Sequence, residues 1–175
     1  KLKNGLKITP KIKNTKYITI ILKNTFKHPE KNTPISLVNK IIKQYYENKK
    51  DYKVLVIHDI IESKINILPN VIELKNNNFT FTYQNLYEYV VNSETIYAVS
   101  AMMEFVGFFV NCNIVIPLKK NYINYIESIT KYIEYLVRDT RGKTIEIIDE
   151  NNNKYMHYNK KWVNKTKPNL RTFNH

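Results

Sequence analysis

Two short apolar runs, Ile96–Val99 and Ile114–Ile116, flank a longer apolar stretch at Ala101–Val110, with Ser100 between the first run and the stretch. Strands this short, apolar at almost every position, are buried on both faces. Buried strands of that kind belong to parallel sheets, and parallel neighbours need a crossover, usually a helix. The spacing therefore predicts strand, helix and strand in succession, preceded by a short helix over Tyr83–Val91 with Thr82 as its cap. In open α/β sheets ligands lie beyond the carboxyl ends of the strands, often against a helix N-terminus. Ser100 and Ala101 stand at that handover.

The rest of the chain repeats the alternation. Tyr17–Leu22 reads as a buried strand ending at Lys23, Asn24 and Thr25. After a loop with His28-Pro29, Thr33 is the expected N-cap and Pro34 the expected first residue of a helix. Ile35, Val38, Ile41, Ile42 and Tyr45 keep helical spacing in it. Lys53–His58 is a second buried strand. Ile60–Pro69 is a connection that could hold a helical turn, and Val71–Leu74 is a third strand. Tyr122–Val137 has the spacing of an amphipathic helix of about four turns, with Gly142 as its stop. Thr144–Ile148 and Lys154–Tyr158 flank an Asp- and Asn-rich turn and read as a hairpin. Trp162, the single tryptophan, is expected to pin the tail. The order implies a layered α/β sheet in one domain, 17–163. Residues 1–16 read as an edge strand, a basic arm or, as Gly5 and Pro10 favour, a linker. Residues 164–175 read as a basic tail.

Composition sets limits on function. Lys and Arg number 28 against 15 acidic residues, a net charge of +13, which taken alone suggests a polyanionic partner. Only Arg138, Arg141 and Arg171 are arginines, whereas forked recognition of phosphates favours Arg. The excess of Lys, Asn, Ile and Tyr along the whole chain fits the drift of an AT-rich genome. A single cysteine, Cys112, excludes an internal disulfide and a multi-thiolate zinc site. His28, His58, His157 and His175 lack metal-ligand spacing, so no metal is expected. No run reaches the roughly 18 apolar residues of a membrane span. No signal peptide is visible, so the expected location is cytoplasmic. The chain opens without a methionine, and the expectation is a piece of something longer.

The usual phosphate-cradling signatures, G-x-x-x-x-G-K-[ST] and G-x-G-x-x-G, are absent, as is the G-x-S-x-G elbow. Candidate chemistry is therefore assembled from strand ends. His58-Asp59 could supply a general base or hold a hydroxyl; the plainer reading is a loop histidine. Lys23 could neutralise a phosphate, or be a solvated lysine. Glu104, early in an apolar helix, suits the helix dipole and could equally accept hydrogen bonds from a ribose. The tyrosines and phenylalanines around 83–109 read mostly as core.

Taken together, Tyr17-Ile-Thr-Ile-Ile-Leu-Lys-Asn-Thr25, Val54-Leu-Val-Ile-His-Asp59, Val71-Ile-Glu-Leu74 and the run from Asn85 to Pro117 resemble the nucleotide-binding half of a GT-B glycosyltransferase. The rhythm is nearest that of heptosyl- and fucosyltransferases. Lys23 matches the family's basic position after the first strand, and Ser100 and Ala101 match its turn facing the donor diphosphate. Glu104 falls where some members place a polar donor contact. The family's turn usually carries Gly, whereas this one is Val99-Ser-Ala-Met-Met103. The resemblance implies a Rossmann-like open, mostly parallel sheet with helices on both faces and a C-terminal β-hairpin. It implies binding of a nucleotide sugar as substrate, with no further cofactor and no metal. Lys23, Thr25, His58, Asn85, Ser100, Ala101 and Glu104 would line the donor site, with His58 the weak catalytic candidate. The acceptor-binding half has no counterpart in these residues. The competing expectation is a non-enzymatic basic α/β domain that binds RNA or serves as a module of a larger assembly.

Overall fold

The computed structural model describes residues 15–77, 82, 86, 89–90, 93–99, 113–119, 145–158 and 161–164. They form one eight-stranded sheet. Its strands are β1 (Lys16–Ile21), β2 (Tyr52–Ile57), β3 (Val71–Leu74), β4 (Thr95–Ala98), β5 (Asn113–Leu118), β6 (Ile145–Asp149), β7 (Lys154–Tyr158) and β8 (Lys161–Asn164). The spatial order is β3-β2-β1-β4-β5-β6-β7-β8. All pairings from β3 through β6 are parallel, and β7 and β8 add antiparallel pairs at one end. This is a Rossmann-like α/β sheet, with the 3-2-1-4-5-6 order of doubly wound folds. Right-handed connections that step toward β3 and those that step toward β6 fall on opposite faces.

Burial explains the order. Ile18, Ile20 and Leu22 point to one face and Tyr17, Thr19 and Ile21 to the other, and all six are buried. Only a central strand suits such a run. β2 is buried at every position but Lys53, whereas β3 is fully buried only at Leu74 and lies at the edge. Six residue pairs join β1 to β2 in register, from Lys16–Tyr52 to Ile21–Ile57. Helix α1 (Ile35–Asn48) carries the first crossover. Its Leu37, Val38, Ile41, Ile42 and Tyr45 pack on Ile18, Ile20, Val54 and Val56. The 3–4 spacing of those side chains makes the helix amphipathic and gives it one face to bury.

Three local expectations change. Thr33 does not cap α1; Pro34 holds the N-cap position, with no side-chain cap bond. The Thr33 Oγ1 instead accepts the Lys23 backbone N–H at 2.8 Å, so it fastens the loop to the end of β1. Ile60–Pro69 contains no helical turn. It is held from outside, through Asn39 Oδ1 of α1, which accepts the Asn66 N–H at 2.9 Å. Residues 161–164, expected only to anchor a tail, form strand β8 on β7. The hairpin at β6–β7 is as expected. Its turn is organised by buried Asp149, whose carboxylate accepts the N–H groups of Asn151 and Asn153 at 2.9 and 2.8 Å and the Asn153 side-chain amide at 2.8 Å. Asn152 takes φ = 63° there, a left-handed conformation that Asn tolerates well. The helices expected at Ala101–Val110 and Tyr122–Val137 lie outside the described residues. Of Tyr83–Val91, residues 86, 89 and 90 are helical.

One polar atom in the centre of the sheet is out of place. Thr19 is fully buried, and its Oγ1 has no hydrogen-bond partner among the described residues. A buried unpaired hydroxyl costs about 1–3 kcal/mol. Thr19→Val keeps the β-branched shape and removes that cost. Chemical denaturation should show a gain of about 1 kcal/mol; an equal loss would mean the hydroxyl has a partner.

Candidate functional site

The carboxyl ends of β1, β2, β4 and β5 lie along one rim of the sheet, since these strands are parallel. The order reverses direction between β1 and β4, the position at which open α/β sheets in general bind their ligands. The segment leaving β1 is built mainly from its own polar groups. The Thr25 N–H donates to Asn32 Oδ1 at 2.8 Å. The Asn32 side-chain amide donates to Asn24 Oδ1 at 3.3 Å and to the Thr25 carbonyl at 3.2 Å. The Lys27 N–H reaches Thr25 Oγ1 at 3.3 Å. Pro29–Lys31 adds one turn of 3-10 helix. The Thr33 N–H closes the loop on the Lys23 carbonyl at 3.0 Å.

Two neighbours fix this loop in place. From the end of β2, Asp59 Oδ2 accepts the Asn24 N–H at 2.9 Å, while its Oδ1 accepts the Ile60 N–H at 2.7 Å. From the end of β5, Lys119 Nζ donates to the Pro29 carbonyl at 2.7 Å. Because β4 lies between β1 and β5, that bond ties the β5 end of the rim to the loop after β1, across the position of β4.

Of the residues expected to line a donor site, Lys23 and Thr25 stand on this framed loop. Asn85, Ser100, Ala101 and Glu104 lie outside the described residues. His58 is at the carboxyl end of β2 but is 1% exposed, and its ring serves the β2–β3 corner. Its Nδ1 faces the Ser63 N–H at 3.3 Å, and Nε2 lies 2.9 Å from Glu73 Oε1. An acceptor role at Nδ1 assigns the proton to Nε2, which donates to the carboxylate. Lys75 Nζ approaches the same Glu73 at 3.4 Å and Glu62 at 3.3 Å. The bond to Glu62 is the first cause that raises the Lys75 pKa. His58 and Asp59, adjacent in the chain, thus serve different neighbours. Two residues of the rim were not singled out as site residues from the sequence, Lys119 and Glu73. A lysine directly after a buried strand is the signal for Lys119. Glu73 carried none, since its partner comes from β2, across the parallel pairing.

At the opposite, amino end of the sheet a second polar cluster joins β2 to β4. The Tyr52 hydroxyl donates to Glu94, and Lys49 Nζ lies 3.7 Å from the same carboxylate and 4.8 Å from the Tyr52 ring centroid. The bond to Glu94, then burial, pushes the Tyr52 phenol up to about 12. Among the described residues no group of three His, Cys, Asp or Glu side chains could hold a metal ion, and no helix is long and apolar enough to cross a membrane. No protein-family model, curated protein or solved structure matches the chain.

Two outcomes follow from these clusters. Glu73→Leu leaves the buried Nε2–H of His58 without its acceptor and should cost about 1–3 kcal/mol in urea denaturation; Glu73→Gln, which keeps an acceptor, should recover most of it. For Tyr52, a folded pKa above the unfolded value means the folded state keeps its proton longer. Its contribution to stability is then complete below pH 10 and lost as pH rises toward about 12. Tyrosinate absorbance of the native protein minus that of Tyr52→Phe should show a late-titrating group, and Glu94→Gln should move it earlier.

Proposed function

We propose that this domain binds a nucleoside diphosphate, and in the fuller reading a nucleotide sugar as glycosyl donor, in the crevice at the carboxyl ends of β1 and β4. The observation that supports this most is the strand order, with its reversal between β1 and β4. Ligands of open α/β sheets bind at that point because the diverging loops leave a gap there. The bridge from Lys119 to Pro29 supports it further, since it brings an ammonium group to the rim of the gap. Lys23, on the segment leaving β1, adds a second cation on the same rim. Net charge of +13 favours the approach of an anion to any such opening.

In this reading the preformed loop 22–34 orients the ligand, and the lysines neutralise the diphosphate. His58, with both ring nitrogens engaged at the β2–β3 corner, supports the loop after β2 and takes no part in proton transfer. Asn85, Ser100, Ala101 and Glu104, which lie outside the described residues, keep the donor-binding role that the resemblance implies. Sugar transfer additionally needs an acceptor held beside the donor, so the chain's own contribution is donor binding.

The RNA reading draws on the same charge. Lys16, Lys43, Lys49, Lys75 and Lys154 each face a carboxylate within 4.0 Å, which lowers the field that a polyanion would meet.

Titration calorimetry with nucleoside diphosphates and nucleotide sugars tests the proposal. One base should bind saturably with modest salt dependence. Lys119→Ala should weaken it by about tenfold, the scale of one charge-assisted hydrogen bond. Binding of a short RNA alone, lost steeply as salt rises, would replace the proposal with the RNA reading.

A further inference from the structure

A cavity of about 460 Å³ opens on the α1 face of the sheet, away from the carboxyl ends of the strands. Its floor is β4 and β5 near their amino ends. The C-terminal half of α1 forms one wall and the β6–β7 hairpin the other. The size is within the roughly 300–1,000 Å³ of small-molecule sites. Lys40 Nζ of α1 donates to the Glu150 carbonyl in the hairpin turn at 3.3 Å, which ties the two walls together.

The lining has two zones. Ile41, Tyr97, Val115 and Ile148 give an apolar base. The Tyr97 phenol is held neutral, since burial first and the Tyr45 hydroxyl next push its pKa up. Gln44, Asn48, Asn113 and Asn152 supply four amide side chains around it. The charges nearby are already matched: Lys154 lies 3.5 Å from Glu146, and Lys49 lies 3.7 Å from Glu94. An ionic ligand would have to break one of those pairs to find a counter-charge. An apolar base under uncharged donors and acceptors instead suits a neutral ring with one apolar face and a hydrogen-bonding edge.

From this lining we infer a second small-molecule site, distinct from the crevice, for an uncharged ring compound of the nucleoside or glycoside class. The two sources share that chemistry and are separated by experiment. Adenosine, uridine, methyl glucoside and lactose are titrated into the isotopically labelled 175-residue chain at low and high salt. The site predicts saturable binding by one of the two classes, unchanged by salt, with amide shifts centred on Thr95, Asn113 and Lys154. Gln44 is an exposed residue on the helix wall, so Gln44→Trp closes the cavity from the surface without entering the core. It should weaken the binding about tenfold or more and leave the thermal midpoint and nucleoside diphosphate binding unchanged. Gln44→Ala, which removes one amide and adds no bulk, should weaken it less. Three results overturn the site: no binding by any of the four probes, binding indifferent to Gln44→Trp, or nucleoside shifts centred on Lys23 and Thr25. The last would move the nucleoside to the crevice, against the cavity but in favour of the donor proposal. Loss of diphosphate binding with the cavity titration intact would do the reverse.

Discussion

The pairing of β1 with a parallel partner on each side is the constraint on which the remaining structure depends. β1 joins β2 over six residue pairs and β4 over three. From Tyr17 to Ile21 its side chains are buried on both faces, with Ile18 and Ile20 against α1. Burying a Val, Leu or Ile side chain contributes about 1.5–3 kcal/mol, and the three isoleucines of β1 are essentially inaccessible to water. The same pairing places a strand that leads one way next to a strand that leads the other, the position at which open α/β sheets in general bind ligands. Core energetics and the reversal of strand order thus have one origin.

The loop after β1 is held together by short polar side chains. Asn32, Thr33 and Asp59 satisfy backbone groups that an irregular segment would otherwise leave bare, as buried or half-buried backbone requires. The arrangement is costly to assemble in entropy, and the donor proposal draws on it because a preformed loop lowers the ordering cost of binding. At the far end of the sheet Glu94 does comparable work, accepting the Tyr52 hydroxyl and facing Lys49, while its own N–H donates to the Tyr17 carbonyl at 3.0 Å. The two ends are therefore polar for different reasons, one to form a loop and the other to join strands.

Much of the sheet was legible because buried parallel strands carry an unmistakable pattern. Tyr17–Leu22, Lys53–His58 and Ile96–Val99 were each displaced by a single residue from the observed strands, and Val71–Leu74 and Lys154–Tyr158 coincided with them. What escaped was set by contacts distant in sequence. Residues 161–164 lack a strong apolar alternation and become a strand because β7 offers an edge. Thr33 has the look of a cap, but its hydroxyl is taken by Lys23, ten residues away. His58-Asp59 invites a reading as a catalytic pair, yet Glu73 and Asn24, supplied by other strands and loops, separate their roles. Lys23 and Thr25 were placed on the loop after β1 by the end of their strand alone. The bridge from Lys119 depends on β5 being two strands from β1, which no local pattern encodes.

The position of β1 between β2 and β4 is the claim that everything else needs, and nuclear Overhauser contacts between backbone protons test it most directly. The account predicts contacts between β1 and β4 at Thr19–Ile96, Ile20–Tyr97 and Ile21–Ala98, together with contacts from the same β1 residues to Leu55, Val56 and Ile57. If β1 shows contacts on one side only, or β4 is found beside β3, the order has no reversal at β1, and the crevice, the bridge from Lys119 and the donor proposal fall with it.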